Sequence, residues 1–151
     1  QPVPPKPAPG FTAGPVGSLA DLAAYDRAFF PAARDAFLRA WATLPGHAVL
    51  ELRQGGRLAG YGVIRPCREG SKIGPLFADS PEGARTLFAA LLAKAPPGPV
   101  FLDLPEPNAD AVAMARDAGM APSFETARMY AGTIPPLPWS RTYGISSFEL
   151  G

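Results

Sequence analysis

KIGPLFADSPEGARTLFAALLAKAPPGPVFLDL, residues 72–104, decides the fold. Its first part, Lys72–Ala78, is a short β-rich run, and Pro75 within it predicts an edge position or a bulge. Ser80-Pro81-Glu82 then opens a helix. Ser80 is a good N-cap, proline suits the first helical position, and Glu82 complements the helix dipole. Leu87, Phe88, Leu91 and Leu92 recur at helical spacing, and Pro96-Pro97 stops the run. Pro99–Leu104 (PVFLDL) is mostly apolar, which predicts a central strand covered on both faces. Strand, helix and strand in this order make a right-handed crossover with parallel strands.

Working towards the N-terminus, His47–Arg53 and Leu58–Arg65 alternate as strands around Gln54-Gly55-Gly56-Arg57, a hairpin signal. Residues 66–71 read as a loop. Ser18 caps a predicted helix with Leu19, Leu22, Ala23 and Phe29 on one stripe, interrupted at Pro31. A second helix carries Phe37, Leu38, Trp41 and Leu44 and ends at Pro45-Gly46. Working towards the C-terminus, Glu106 or Asn108 caps a helix with Val112, Met114, Ala115 and Ala118, and Gly119 stands where a left-handed residue ends it. Ser123–Ala131 alternates, prolines 135, 136 and 138 form a connection, and Tyr143–Leu150 is the last strand. The predicted order is α-α-β-β-β-α-β-α-β-β. It gives a mixed, mostly antiparallel α/β sheet with helices on both faces, closing in a β-hairpin.

Composition bounds the rest. A chain of 151 residues suits one domain. It holds 20 prolines and 16 glycines, and six of the prolines fall in the first 15 residues. Residues 1–15 therefore read as a Pro-rich linker or arm, with the domain over 16–151, and a linker implies further chain upstream. Fourteen Lys+Arg balance 13 Asp+Glu, so no basic block points to nucleic acid. One cysteine (Cys67) and one histidine (His47) exclude an internal disulfide and a His/Cys metal cluster. No apolar run reaches the ~18 residues of a membrane span, and no signal-peptide pattern opens the chain. The expectation is a cytoplasmic domain without metal, nucleic acid or membrane as partner.

The element order is similar to that of the GNAT superfamily of acyl-CoA N-acyltransferases. Leu102–Met120 (LDLPEPNADAVAMARDAGM) resembles the family's strand-helix segment, with Asn108, Ala111, Met114 and Gly119-Met120 at its marked positions. Ile73–Leu91 resembles its acyl-CoA segment. With the GYGVIRP and ETARMY strands, the likeness is strongest to the C-terminal domain of tandem GNAT proteins. The resemblance implies transfer of an acetyl group from acetyl-CoA to an amine by direct attack. The alternative is a non-catalytic GNAT-like module that binds a ligand or a partner domain within a larger protein.

The same resemblance assigns the site. Two strands, Lys72–Ala78 and Pro99–Leu104, would diverge and admit the pantetheine arm as an added strand. Leu76, Phe77 and Ala78 would line it, and the strand around Phe77 and Ala78 would supply an N–H to the acyl carbonyl. Gly83, Ala84, Arg85 and Thr86 would hold the pyrophosphate at a helix N-terminus, and Asn108, Ala111 and Met114 would complete the cofactor set. Two registers of the phosphate loop stay open. One puts Gly83 at the basic position and Thr86 and Phe88 at the small ones; the other uses Gly83-Ala84-Arg85. Ala115 stands where many members carry the tyrosine that protonates the leaving thiolate, so Tyr61, Tyr130 and Tyr143 are the substitutes. Glu106, Asp103 and Glu51 are candidates for the base, with Glu106 best placed at a strand end and Glu51 expected on a solvated face. Catalytic candidates are thus Glu106, Asp103 and Tyr130. The acceptor is a small amine or a protein amine (N-terminus or lysine), and an upstream domain or a homodimer is an expected partner.

Overall fold

A computed structural model describes residues 1–150. In chain order it contains β1 (Phe11–Pro15), α1 (Leu19–Asp26), α2 (Asp35–Thr43), β2 (Ala48–Gln54), β3 (Arg57–Pro66), β4 (Ser71–Ala78), α3 (Pro81–Leu92), β5 (Val100–Leu102), α4 (Ala109–Asp117) and β6 (Thr142–Gly144), with a short 3-10 turn at Trp139–Arg141 before β6. The strands form one six-stranded sheet ordered β1-β2-β3-β4-β5, in which β6 also pairs with β4. β4 and β5 run parallel and the other pairs are antiparallel. The architecture is the expected mixed, mostly antiparallel α/β sheet.

Local chemistry sets most of these boundaries. The Oγ atoms of Ser18 and Ser80 accept from the N–H groups of Asp21 and Gly83, at 3.1 and 3.2 Å. Gly55 and Gly56 both have positive φ, 56° and 82°, which makes the tight turn between β2 and β3. Two apolar clusters lie on opposite faces of the sheet. Leu22, Phe29, Leu38, Tyr61, Val63 and Phe77 pack beneath α1 and α2. The larger cluster joins Leu52, Leu76, Leu87, Phe88, Leu91 and Met114 beneath α3 and α4. Alternation along β4 divides it between them, with Phe77 on the first face and Leu76 and Ala78 on the second.

The structure corrects several expectations. Phe11–Pro15 pairs with Leu50–Gln54 as the edge strand β1, so this part of the Pro-rich segment belongs to the sheet. The remainder also touches the domain, through Val3 N–H to the Ala118 carbonyl at 2.9 Å and Ala8 N–H to the Thr86 hydroxyl at 2.9 Å. β4 is an inner strand; Pro75 sits where its pairing with β3 skips a residue, at a bulge and not an edge. β5 ends the main strand order instead of lying at its centre. Residues 121–138 form no helix or strand, so the alternating run at 123–131 has no sheet partner, and the expected closing hairpin is absent. Leu44 is exposed past the end of α2.

Candidate functional site

β4 and β5 pair through Ser71, Lys72 and Ile73 and then separate. The expected opening exists, but the chain itself fills it. Gly144 and Thr142 of β6 pair with Leu76 and Phe77 of β4, while Ile145 N–H donates to the Asp103 carbonyl just beyond β5, at 2.9 Å. Glycines make the insertion possible. A Cβ on Gly144 would lie 2.6 Å from Leu102 Cδ1, and one on Gly74 would lie 2.6 Å from the carbonyl oxygens of Ile145 and Ser146. Neither position has room for a side chain while the segment is in place.

Side chains latch the inserted segment at both ends. Arg141 donates to Asp79 Oδ1 from Nε and Nη2, at 3.1 and 2.6 Å. Asp79 also accepts from Tyr25 (2.8 Å) and Arg57 (2.8 Å). Burial pushes the Asp79 carboxyl up, but the bonds from Tyr25, Arg57 and Arg141 outweigh it and hold the group below its ordinary value. Burial and then the Asp79 bond push the Tyr25 phenol up. At the far end, Arg34 donates to Ser146 Oγ at 3.3 Å while gripping the buried Asp26 through two 2.7 Å bonds. Tyr61 OH donates to the same carboxylate at 2.5 Å, and burial pushes its phenol far up. These tyrosines and arginines are tied to carboxylates 35 to 62 residues away in some cases, so no local sequence pattern marks them.

Asn108 stands beside the opening and serves the chain's own backbone. Its Oδ1 accepts from Asp110 and Ala111 N–H at 3.1 and 3.2 Å, capping α4, and its Nδ2 donates to the Thr142 carbonyl at 2.8 Å. Leu76, Ala78, Ala84, Ala111 and Met114 are brought together in the larger core cluster, while Phe77 lies on the other face, stacked on Phe29 with centroids 4.0 Å apart. Gly83 is buried: a Cβ there would meet Leu52 Cδ2 at 2.8 Å and Phe11 Cε1 at 3.2 Å. Thr86 accepts from Ala8 and donates to the Glu82 carbonyl. Arg85 borders a hollow of about 180 Å³ with Met114, Asp117 and Ala118, roofed by Val3, Pro4 and Pro5. Phe88 is fully buried in the core, away from any approach to the first turn of α3.

The catalytic candidates are not joined by any hydrogen bond or ion pair among the described residues. Asp103 is buried and paired with Lys72. Glu106 is exposed in the turn before α4. Tyr130 lies in the irregular segment, with its hydroxyl buried and unpartnered and the Arg128 guanidinium 5.4 Å over its ring. Tyr143, on β6, also has a buried, unpartnered hydroxyl; burial first, then the Asp110 charge, push it up to about 12. Glu51 is buried, contrary to its expected solvated position. It accepts from Arg53 at 2.6 Å and from Gly17 N–H at 3.1 Å, and the Arg53 bond holds it low. His47 meets Trp41 edge-on at 4.8 Å, and the Cys67 thiol donates to the Glu69 carbonyl. Among the described residues no group of His, Cys, Asp or Glu could hold a metal, and no helix is long and apolar enough to cross a membrane.

The sequence model of a family described as an acetyltransferase (GNAT) domain matches residues 22–144. A curated relative, holothin acyltransferase from Pseudoalteromonas sp. (strain SANK 73390), is 30% identical over 119 residues. The match takes in 78% of this chain and 40% of the relative, so the chain spans about two-fifths of that protein's length. No solved structure matches.

Proposed function

The chain belongs to the GNAT acetyltransferase family, and from that premise we propose that it serves the transfer of an acetyl group from acetyl-CoA to an amine by direct attack. The observation that carries this reading is the separation of β4 from β5 with the Asn108 carboxamide facing the opening. An extended chain bearing amides suits such a place, as residues 142–145 show: they take backbone groups of β4 and the Asp103 carbonyl, and the Thr142 carbonyl takes the Asn108 N–H. The pantetheine arm of CoA has that chemistry. The relative's acyl-transfer activity points the same way.

The reaction asks for a base to take a proton from the amine, a donor to the thioester oxygen as the tetrahedral intermediate forms, and an acid for the leaving thiolate. Asp103 is committed to Lys72, which leaves Glu106, exposed at the mouth of α4, as the base in this reading. Ala115 carries no proton, and Tyr130 remains the acid. Calorimetric titration with acetyl-CoA, followed by thiol release in the presence of an amine panel, tests the reading. Saturable binding and amine-dependent release support it; no heat up to millimolar acetyl-CoA rejects it.

A second reading rests on the filled opening. With residues 142–145 between β4 and β5, the domain serves as a non-catalytic module that shapes a partner domain's site in a longer acyltransferase. In this reading the isolated domain binds no acetyl-CoA, and the longer protein loses activity when the domain is removed.

A further inference from the structure

We propose that residues 139–150 switch between two seats: the observed one, plugging the opening between β4 and β5, and a hairpin with residues 123–131 that leaves the opening free. The proposal rests on the acetyl-CoA reading above, because the plug and the pantetheine arm would compete for one place.

Four observations carry it. First, the plug is a short strand, with just two residue pairs to β4. Beyond those pairs it is held by single bonds, Ile145 N–H to the Asp103 carbonyl and Asn108 to the Thr142 carbonyl, and by side-chain latches at its ends, Arg141 to Asp79 and Arg34 to Ser146. Second, the plug buries the Tyr143 hydroxyl without a partner, and an unsatisfied buried hydroxyl disfavours the seat that creates it. Third, residues 123–131 alternate as a strand yet pair with nothing, and leave Phe124 and Met129 70% and 87% exposed. Residues 143–150 read as a strand over their whole length, yet only their first two are in one. Sequence and structure disagree in both halves of one predicted hairpin, and such local conflicts gather at functional elements. Fourth, the halves already touch: the Phe124 and Phe148 rings meet edge-on with centroids 5.8 Å apart. Released from the opening, residues 143–150 have a partner strand within reach.

The opposing force is also visible. Tyr143 and Ser146 are almost wholly buried in the plugged seat, so that seat dominates without ligand. A ligand that needs the open state then binds with an apparent affinity reduced by the open fraction. Acetyl-CoA affinity should therefore be weak in the unaltered chain and should tighten when a latch is cut.

Hydrogen exchange on the full 151-residue chain, with and without acetyl-CoA, tests this. Backbone amides in 123–131 are unpaired in the plugged seat and exchange fast; hairpin formation would slow alternate ones roughly 10-fold or more. The expected result is that acetyl-CoA brings about this slowing. Arg141→Ala should bring part of it without ligand and tighten acetyl-CoA binding by about 10-fold, as an open fraction ten times larger requires. Asp79→Asn cuts the same latch from the β4 side, and the unaltered chain alone suffices if both variants unfold. Acetyl-CoA binding with no slowing in 123–131 overturns the switch and leaves the acetyl-CoA reading standing. No acetyl-CoA binding to the unaltered chain or to a folded latch variant overturns both.

Discussion

Replacing Asn108 separates two jobs that one side chain performs. Asn108→Ala removes the Oδ1 acceptor from the Asp110 and Ala111 N–H groups and the Nδ2 donor from the buried Thr142 carbonyl. Loss of an N-cap costs about 1 kcal/mol. Leaving a buried carbonyl without a donor costs about 1–3 kcal/mol. The sum is roughly 2–4 kcal/mol, and in a domain of this size each kcal/mol lowers Tm by about 2–4 °C. Asn108→Ala should therefore melt roughly 9 °C lower, at the middle of those ranges. Asn108→Ser keeps a good cap but cannot reach Thr142, so it should lose the second part alone, about 6 °C. Thermal melts followed by far-ultraviolet circular dichroism at neutral pH read both. If Asn108→Ser melts with the unaltered protein, the bond to Thr142 holds nothing in place. If Asn108→Ala does so too, the reasoning about the cap fails with it.

Further expectations concern the core and the two charge clusters. Phe88→Ala should destabilise by about 3–5 kcal/mol, since the ring is fully buried; a loss below about 1 kcal/mol in chemical denaturation would place the ring outside the core. Asp26→Ala leaves the buried Arg34 guanidinium and the Tyr61 hydroxyl without their carboxylate. It should lose about 3–5 kcal/mol, and a mild effect in the same assay would deny the cluster its role. Asp79 is held below its ordinary value despite burial, so its ionised form stabilises the fold above the unfolded value near ~3.9. That contribution fades as pH falls through the lower folded value. Asp79→Asn should lower Tm at neutral pH and flatten the acid limb of Tm against pH; parallel curves for the two proteins would contradict this.

The readable parts of the fold are those set by residues close in sequence. Ser18, Ser80 and Asn108 cap their helices within three residues, and Gly55-Gly56 turns its own hairpin. β1 escaped because FTAGP has no alternation and takes its strand character from pairing with residues 50–54. The run at 123–131 misled because alternation states what a segment can bury, while strand formation also needs a free edge beside it. Asn108 was legible as one of two candidate caps of α4, which puts it beside the opening. Occupancy was not, because Thr142 lies 34 residues away from Asn108 and Arg141 lies 62 from Asp79. Asp103, a base candidate in an apolar strand, is paired with Lys72 on the neighbouring strand, a contact no local pattern marks. Glycines 74 and 144 are small for the same long-range reason, the close passage of β6.

The most direct measurement is an acetyl-CoA titration followed at backbone amides by heteronuclear NMR. Saturable shifts at Leu76, Phe77 and Asn108, with a common dissociation constant, are expected if acetyl-CoA enters between β4 and β5. Unmoved resonances at these three residues up to millimolar acetyl-CoA would contradict the assignment of this opening to the acyl donor.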